Sequence, residues 1–116
     1  MYLKYAVLPV ADMDRAIAFY TGTLRLTLAT DTRGDSGRRV ELAFPRGETR
    51  LLLEPHDATG ESDEPALVLT VPDVDAAFER LGSLGVIFVS PPADEGSGRC
   101  AAFHDSEGNL VLIESD

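Results

Sequence analysis

The chain repeats itself. Offset by about 60 residues, VADMDRAIAFY at 10–20 falls on VPDVDAAFERL at 71–81, so that Val10, Asp12, Asp14 and Ala16 recur as Val71, Asp73, Asp75 and Ala77. Each copy follows a strand-like run, YAVLPV or ALVLTV, and the later segments match in turn: LRLTLATD at 24–31 with LGVIFVSP at 84–91, and TRLLLEP at 49–55 with NLVLIES at 109–115. Two halves sharing one pattern are expected to build the same layered unit twice. The halves meet at DATGESDEP, so the expected organisation is a single domain over 1–116, with a first module at 1–56, a linker at 57–65 and a second module at 66–116.

Within each half the local chemistry predicts one helix. Asp12 and Asp73 stand where a carboxylate can accept hydrogen bonds from the orphan amides of a helix N-terminus. Met13, Ile17 and Tyr20, like Val74, Phe78 and Leu81, recur at i, i+4 and i+7 and give each helix one apolar stripe. Around the helices, short apolar or alternating runs are punctuated by GDSGR at 34–38, PRGE at 45–48, PPADEGSG at 91–98 and DSEG at 105–108. Each half therefore reads strand, helix, strand, strand, strand. The helix joining the first two strands suits a right-handed crossover, and the last three are close enough for hairpins. The predicted fold class is α+β: two βαβββ modules with mixed, curved sheets, one helix against one face of each.

The other sheet faces are expected to enclose a cleft. Side chains alternate along a strand. If Ala6, Leu8 and Val10 face the first helix, Tyr5, Val7 and Pro9 line the cleft; if Leu67, Leu69 and Val71 face the second, Ala66, Val68 and Thr70 do so. Pro9 has no N–H for a ladder bond, so its strand is expected to turn that side to solvent or a bulge.

Charge narrows the partners. Ten basic against twenty acidic residues leave −10, which repels nucleic acid and anionic membranes and attracts cations. With Cys100 the only cysteine, the chain can form no internal disulfide and no cysteine-based zinc site. The apolar stretch of MYLKYAVLPVADMD is far shorter than the ~20 residues of a membrane helix, and a cytoplasmic location is expected.

Together, V-x-D-x-D-x-A in both halves, AFYTGTLRLTL at 18–28 and FHDSEGNLVLIE at 103–114 resemble the vicinal oxygen chelate superfamily, which contains glyoxalase I, extradiol dioxygenases, fosfomycin-resistance enzymes and bleomycin-resistance proteins. The resemblance covers essentially the whole chain, with Arg25 where the family usually has Gly. In metal-dependent members it implies a divalent ion held by a His on the first strand and a Glu on the last strand of each module. Those positions here are Tyr5, Ala66, Leu52 and Leu112. All four expected ligands are missing, so no cofactor is expected. Glu54 and Glu114 lie two residues beyond the last-strand positions and keep the same face.

Two readings follow. In the first, the chain binds a small organic molecule without metal in an apolar cleft lined by Tyr5, Val7, Leu52, Ala66, Val68 and Leu112, with Glu54, Glu114 or Arg99 orienting it. By resemblance to bleomycin-resistance proteins this means drug or antibiotic sequestration, and the acidic surface would favour a cationic ligand. In the alternative, the chain is a lyase, isomerase or extradiol-type dioxygenase that uses a divalent metal on non-standard ligands, or an acid–base pair such as Glu54 with His56. The roles of His56 and His104 stay open, including a rebuilt metal site from Glu54, His56, His104 and Glu114. Cys100 is expected to pack, Arg38 and Arg39 to be solvated, with Arg39 sharing a face with Glu41 and able to reach the cleft, and Phe19 and Tyr20 to belong to helix core. Family resemblance also implies a homodimer.

Overall fold

A computed structural model describes residues 1–57, 60–96 and 98–115. Two positions of the expected linker, 58 and 59, and one of the PPADEGSG segment, 97, lie outside the described residues, as does 116. The chain divides into two compact units, Met1–Ala58 and Thr59–Asp116.

In the first unit the order is β1 (Tyr5–Val10), α1 (Met13–Ala18), a π-helical turn (Phe19–Thr23), β2 (Thr27–Gly34), β3 (Gly37–Ala43) and β4 (Arg50–Pro55). In the second it is β5 (Pro65–Thr70), α2 (Val74–Ser83), β6 (Phe88–Glu95), β7 (Gly98–His104) and β8 (Leu110–Glu114). The four-stranded sheets run β1-β4-β3-β2 and β5-β8-β7-β6. The opening strand lies parallel to the last one of its unit, and the remaining pairs are antiparallel. This is the βαβββ architecture the repeat predicts, built twice. The crossover is longer than a simple βαβ step, because β1 neighbours β4 and leaves β2 at the far edge.

Both helices start where the aspartates place them. Asp12 accepts from the Arg15 amide at 3.0 Å and Asp73 from the Ala76 amide at 3.1 Å, an arrangement worth about 1 kcal/mol each. The first helix is shorter than its stripe predicts: after Ala18 it widens into the π turn, which seats Tyr20 fully in the core while Met13 and Ile17 stay half-buried. In unit 1 that core holds Leu8, Val10, Ala16, Val40, Leu42, Leu51 and Leu53. In unit 2 it holds Val74, Leu81, Ala101, Val111 and Ile113, and Phe103 stacks edge-on against Phe88, which stacks in turn on Phe78. Each large apolar side chain so buried contributes about 1.5–3 kcal/mol.

The PPADEGSG segment differs from expectation. It reads as a turn, yet Pro91 to Glu95 extend β6. The ladder tolerates two prolines because β6 is an edge strand and the register slips between Phe88 and Ser90 and again between Ser90 and Ala93.

Candidate functional site: the helix-free sheet faces

Alternation sorts each sheet as expected. Leu8, Val10 and Leu67 are buried toward the helices, while Val7 and Val68, each 55% exposed, occupy the opposite faces. Register then assembles those faces strand by strand. In unit 1, Val7 lies beside Leu52 and Leu52 beside Glu41; Tyr5 lies beside Arg50 and Arg50 beside Ala43; Pro9 lies beside Glu54. In unit 2, Val68 and Ala102 flank Leu112, and Thr70 and Cys100 flank Glu114. The predicted positions Tyr5, Val7, Leu52 and Glu54 thus share one face of the first sheet, and Val68, Leu112 and Glu114 one face of the second, while Ala66 falls at a register shift between Pro65 and Leu67 and has no cross-strand partner.

Arg99 does not join them. It shares a side with Ala101 and Phe103, as alternation requires, but that side is covered by α2. The guanidinium donates through Nε and Nη2 to both carboxylate oxygens of Asp75 at 2.7 and 3.0 Å, and through Nη1 to Asp94 at 3.1 Å. Its expected place among the cleft residues is corrected on this ground: the α2 aspartate draws it to the helix side. A related clamp with the two aspartates exchanged stands in unit 1, where Arg38 donates through Nε and Nη2 to the β2 residue Asp31, both at 2.9 Å, and Nη1 lies 2.8 Å from Asp14 of α1. Arg38 is therefore tied to strand and helix rather than solvated. The guanidinium beside each carboxylate holds Asp31 and Asp75 below the usual range. Because Asp14 and Asp75 are the second aspartates of the repeated V-x-D-x-D-x-A, that motif supplies both the helix cap and the tie from helix to sheet.

Sequence reasoning missed the most polar cluster. Glu41 is buried on the helix-free face of unit 1, accepting from Arg39 Nε at 2.9 Å and Arg50 Nη1 at 3.1 Å. Burial opposes its ionisation, but the hydrogen bonds from Arg39 and Arg50 outweigh that and hold the carboxyl below its ordinary value. Arg39 and Lys4 both lie over the Tyr5 ring, at 5.3 and 5.4 Å from its centre. Tyr2, Lys4, Tyr5, Glu41, Ala43, Glu48 and Arg50 are among the residues lining an open hollow of about 590 Å³. Arg39 with Glu41 was visible in the sequence as a same-face pair; Arg50 was not, since only the β3–β4 register brings it to Glu41.

The remaining candidates have local roles. The His56 ring lies 3.0 Å from the Asp57 carbonyl through Nδ1. His104 Nε2 lies 2.9 Å from the Ser62 carbonyl and Nδ1 3.1 Å from Glu61. Cys100 Sγ lies 4.0 Å from Glu114 Oε2, and burial, then the charges of Glu114 and Glu95, push its thiol pKa up, away from nucleophilic character. Asp105 is buried in the β7–β8 turn, its Oδ1 accepting from the amides of Glu107 and Asn109 at 2.8 and 2.9 Å, and its Oδ2 from Asn109 Nδ2 at 3.1 Å. The D-x-x-G-N signature is thereby a turn lock.

A family model described as Glyoxalase/Bleomycin resistance protein/Dioxygenase superfamily matches residues 2–113. The chain belongs to this superfamily. It is 34% identical to the uncharacterized protein YurT of Bacillus subtilis (strain 168), over 90% of this chain and 91% of that protein. Its fold matches TnmS3, an antibiotic binding protein from Streptomyces sp. CB03234, with a TM-score of 0.86 and 28% identity over 99% of this chain and 95% of that one. A superfamily member from Sphaerobacter thermophilus DSM 20745 matches with a TM-score of 0.87 and 25% identity, over 100% of this chain and 98% of that one. Against the metal that the superfamily implies, the residues here fit poorly. Two leucines and an alanine have no donor atom, Tyr5 offers a lone phenol, and among the described residues no group of three or more His, Cys, Asp or Glu is placed to hold an ion. Among the described residues no helix is long and apolar enough to cross a membrane.

Proposed function

We propose that this chain binds a small organic molecule without a resident metal, in the manner of a sequestering protein rather than an enzyme. One observation carries the reading: the four positions where metal-dependent relatives are expected to place ligands hold Tyr5, Leu52, Ala66 and Leu112, and the helix-free faces that carry Tyr5, Leu52 and Leu112 also expose Val7 and Val68. Apolar contact with such side chains yields about 25 cal/mol per Å², and Glu54 and Glu114, on the same faces, serve to orient polar groups of the ligand. The likeness to TnmS3, described as antibiotic binding, supports an antibiotic-like ligand. We further place the protein in the cytoplasm as a homodimer, whose mass sedimentation equilibrium would report.

The test is binding after metal removal. With the protein dialysed against EDTA and its metal content measured by elemental analysis, bleomycin and 2-naphthamide are titrated while backbone amide signals are followed by NMR. Shifts concentrated at Tyr5, Val7, Leu52, Val68 and Leu112 with substoichiometric metal are expected. Stoichiometric Ni, Zn, Fe or Mn in the purified protein, or binding that returns only when one is added, would sink the metal-free reading.

A further inference from the structure

Arg38, Arg99, Arg39 and Arg50, strand arginines that meet carboxylates among the described residues, are used in opposite ways. Arg38 and Arg99 each spend the paired Nε and Nη2 edge on one aspartate and Nη1 on a second, so that two carboxylates saturate one guanidinium. On the helix-free face of unit 1 the ratio is inverted. Arg39 and Arg50 share the single carboxylate of Glu41, each through one nitrogen. Arg50 gives only Nη1, which among the described residues leaves its Nε and Nη2 edge unspent; that edge is the one whose parallel N–H bonds match a carboxylate.

The surroundings make this edge a receptor rather than a leftover. Glu41 is fixed by burial, while Arg39 and Arg50 are about half exposed, with side-chain accessibilities of 48% and 46%, so the carboxylate orients both guanidiniums and leaves them reachable. Lys4 stands over the adjacent Tyr5 ring. In the lining of the hollow Lys4 and Arg50 balance Glu41 and Glu48, and Arg39, over the Tyr5 ring, adds one further positive charge beside it in a chain of charge −10. A scaffold this acidic that sets two cations over a half-buried ring, with Arg50 on the adjoining strand, keeps positive charge at one place. Resting on the binding function proposed above, we infer that the unit 1 hollow recognises a planar organic carboxylate, the side-on edge of Arg50 pairing with the carboxylate and Tyr5 meeting the ring or chain that carries it. The sign is the reverse of what the overall charge predicts.

The probes are 2-naphthoate and its neutral isostere 2-naphthamide, titrated in EDTA-containing buffer at pH 7 with the arginine Nε–H signals followed by NMR. Expected are about tenfold tighter binding of the acid, roughly the increment of one charge-assisted bidentate contact, and a displaced Arg50 Nε–H signal. The preference should shrink as salt rises from 50 to 500 mM. Arg50→Gln should bring the acid-to-amide ratio to about 1, and Arg50→Lys, which keeps the charge but not the fork, to an intermediate value, so a poorly folded first variant leaves the second decisive. Equal affinity for acid and amide, with shifts on the helix-free faces, overturns the carboxylate preference and leaves the binding function standing. Acid-induced shifts confined to unit 2 or to Arg38 and Arg99 overturn the siting, and absence of binding by either compound overturns both.

Discussion

Units 1 and 2 share what ties helix to sheet and differ in what the sheet shows on its other side. The Asp12 and Asp73 caps repeat, and Arg38 and Arg99 each tie a helix aspartate to a strand aspartate, with the two-pronged edge on the strand aspartate in unit 1 and on the helix aspartate in unit 2. Yet Tyr5, Arg39, Glu41 and Arg50 on the helix-free face of unit 1 correspond to Ala66, Cys100, Ala102 and Leu110 in unit 2. A layered unit must keep the contacts that cover its core, whereas its uncovered face bears no such constraint. The two faces are therefore free to specialise, one toward charge and one toward apolar contact.

Breaking the difference at its strongest point means removing Asp105, for which unit 1 has Phe44 at the corresponding place. Asp105→Ala leaves the Glu107 and Asn109 amides and the Asn109 side chain without their acceptor. It should cost about 3 kcal/mol in urea unfolding, given about 1.5–3 kcal/mol per bond to a charged group and partial non-additivity; a loss under about 1 kcal/mol would show the turn lock to be dispensable.

Next in size is the polar side of unit 1. Glu41→Gln should lower stability at pH 7 by about 1–2 kcal/mol, discounted because both arginines reach solvent. Its sign with pH follows from the lowered pKa: the unfolded chain binds the proton more readily, so the contribution is full above the unfolded carboxyl value of about 4.3 and fades as pH falls through the lower folded one. Acid unfolding of the variant should accordingly be shallower below about pH 4.3; an unchanged acid limb would remove Glu41 from the account.

The units also differ at one matched turn. Arg25 sits at φ 64° and its counterpart Gly85 at φ 95°, both left-handed. Arg25→Gly should raise the thermal midpoint, by a gain of about 0.5–1 kcal/mol, and Gly85→Ala, whose new Cβ meets nothing within 4 Å, should cost about 1 kcal/mol through φ alone. The smallest effect is kinetic. Cys100 should react slowly with iodoacetamide at pH 8, and Glu114→Gln, which removes one of the charges raising the thiol pKa, should speed that reaction a few-fold.

Legibility tracked the range of each interaction. Caps at Asp12 and Asp73, the strand alternation at Leu8 and Val7, and the fold class all follow from neighbours a few residues apart. Arg99 was placed correctly beside Ala101 and Phe103 but on the wrong side, since alternation says which residues share a face and not which face a helix covers. The extension of β6 through two prolines was hidden because its edge position and slipped register depend on the whole sheet. Glu41 was visible beside Arg39, but its burial and its second guanidinium come from β4.

By itself the sequence determined the duplicated βαβββ plan and the capping aspartates, because these rest on residue identity and short-range periodicity. Only the tertiary structure decided which arginines are spent and which remain available. Ion pairing depends on strand register and on the face each helix covers: these brought Arg38 and Arg99 to two aspartates each, and left Arg39 and Arg50 with one glutamate between them.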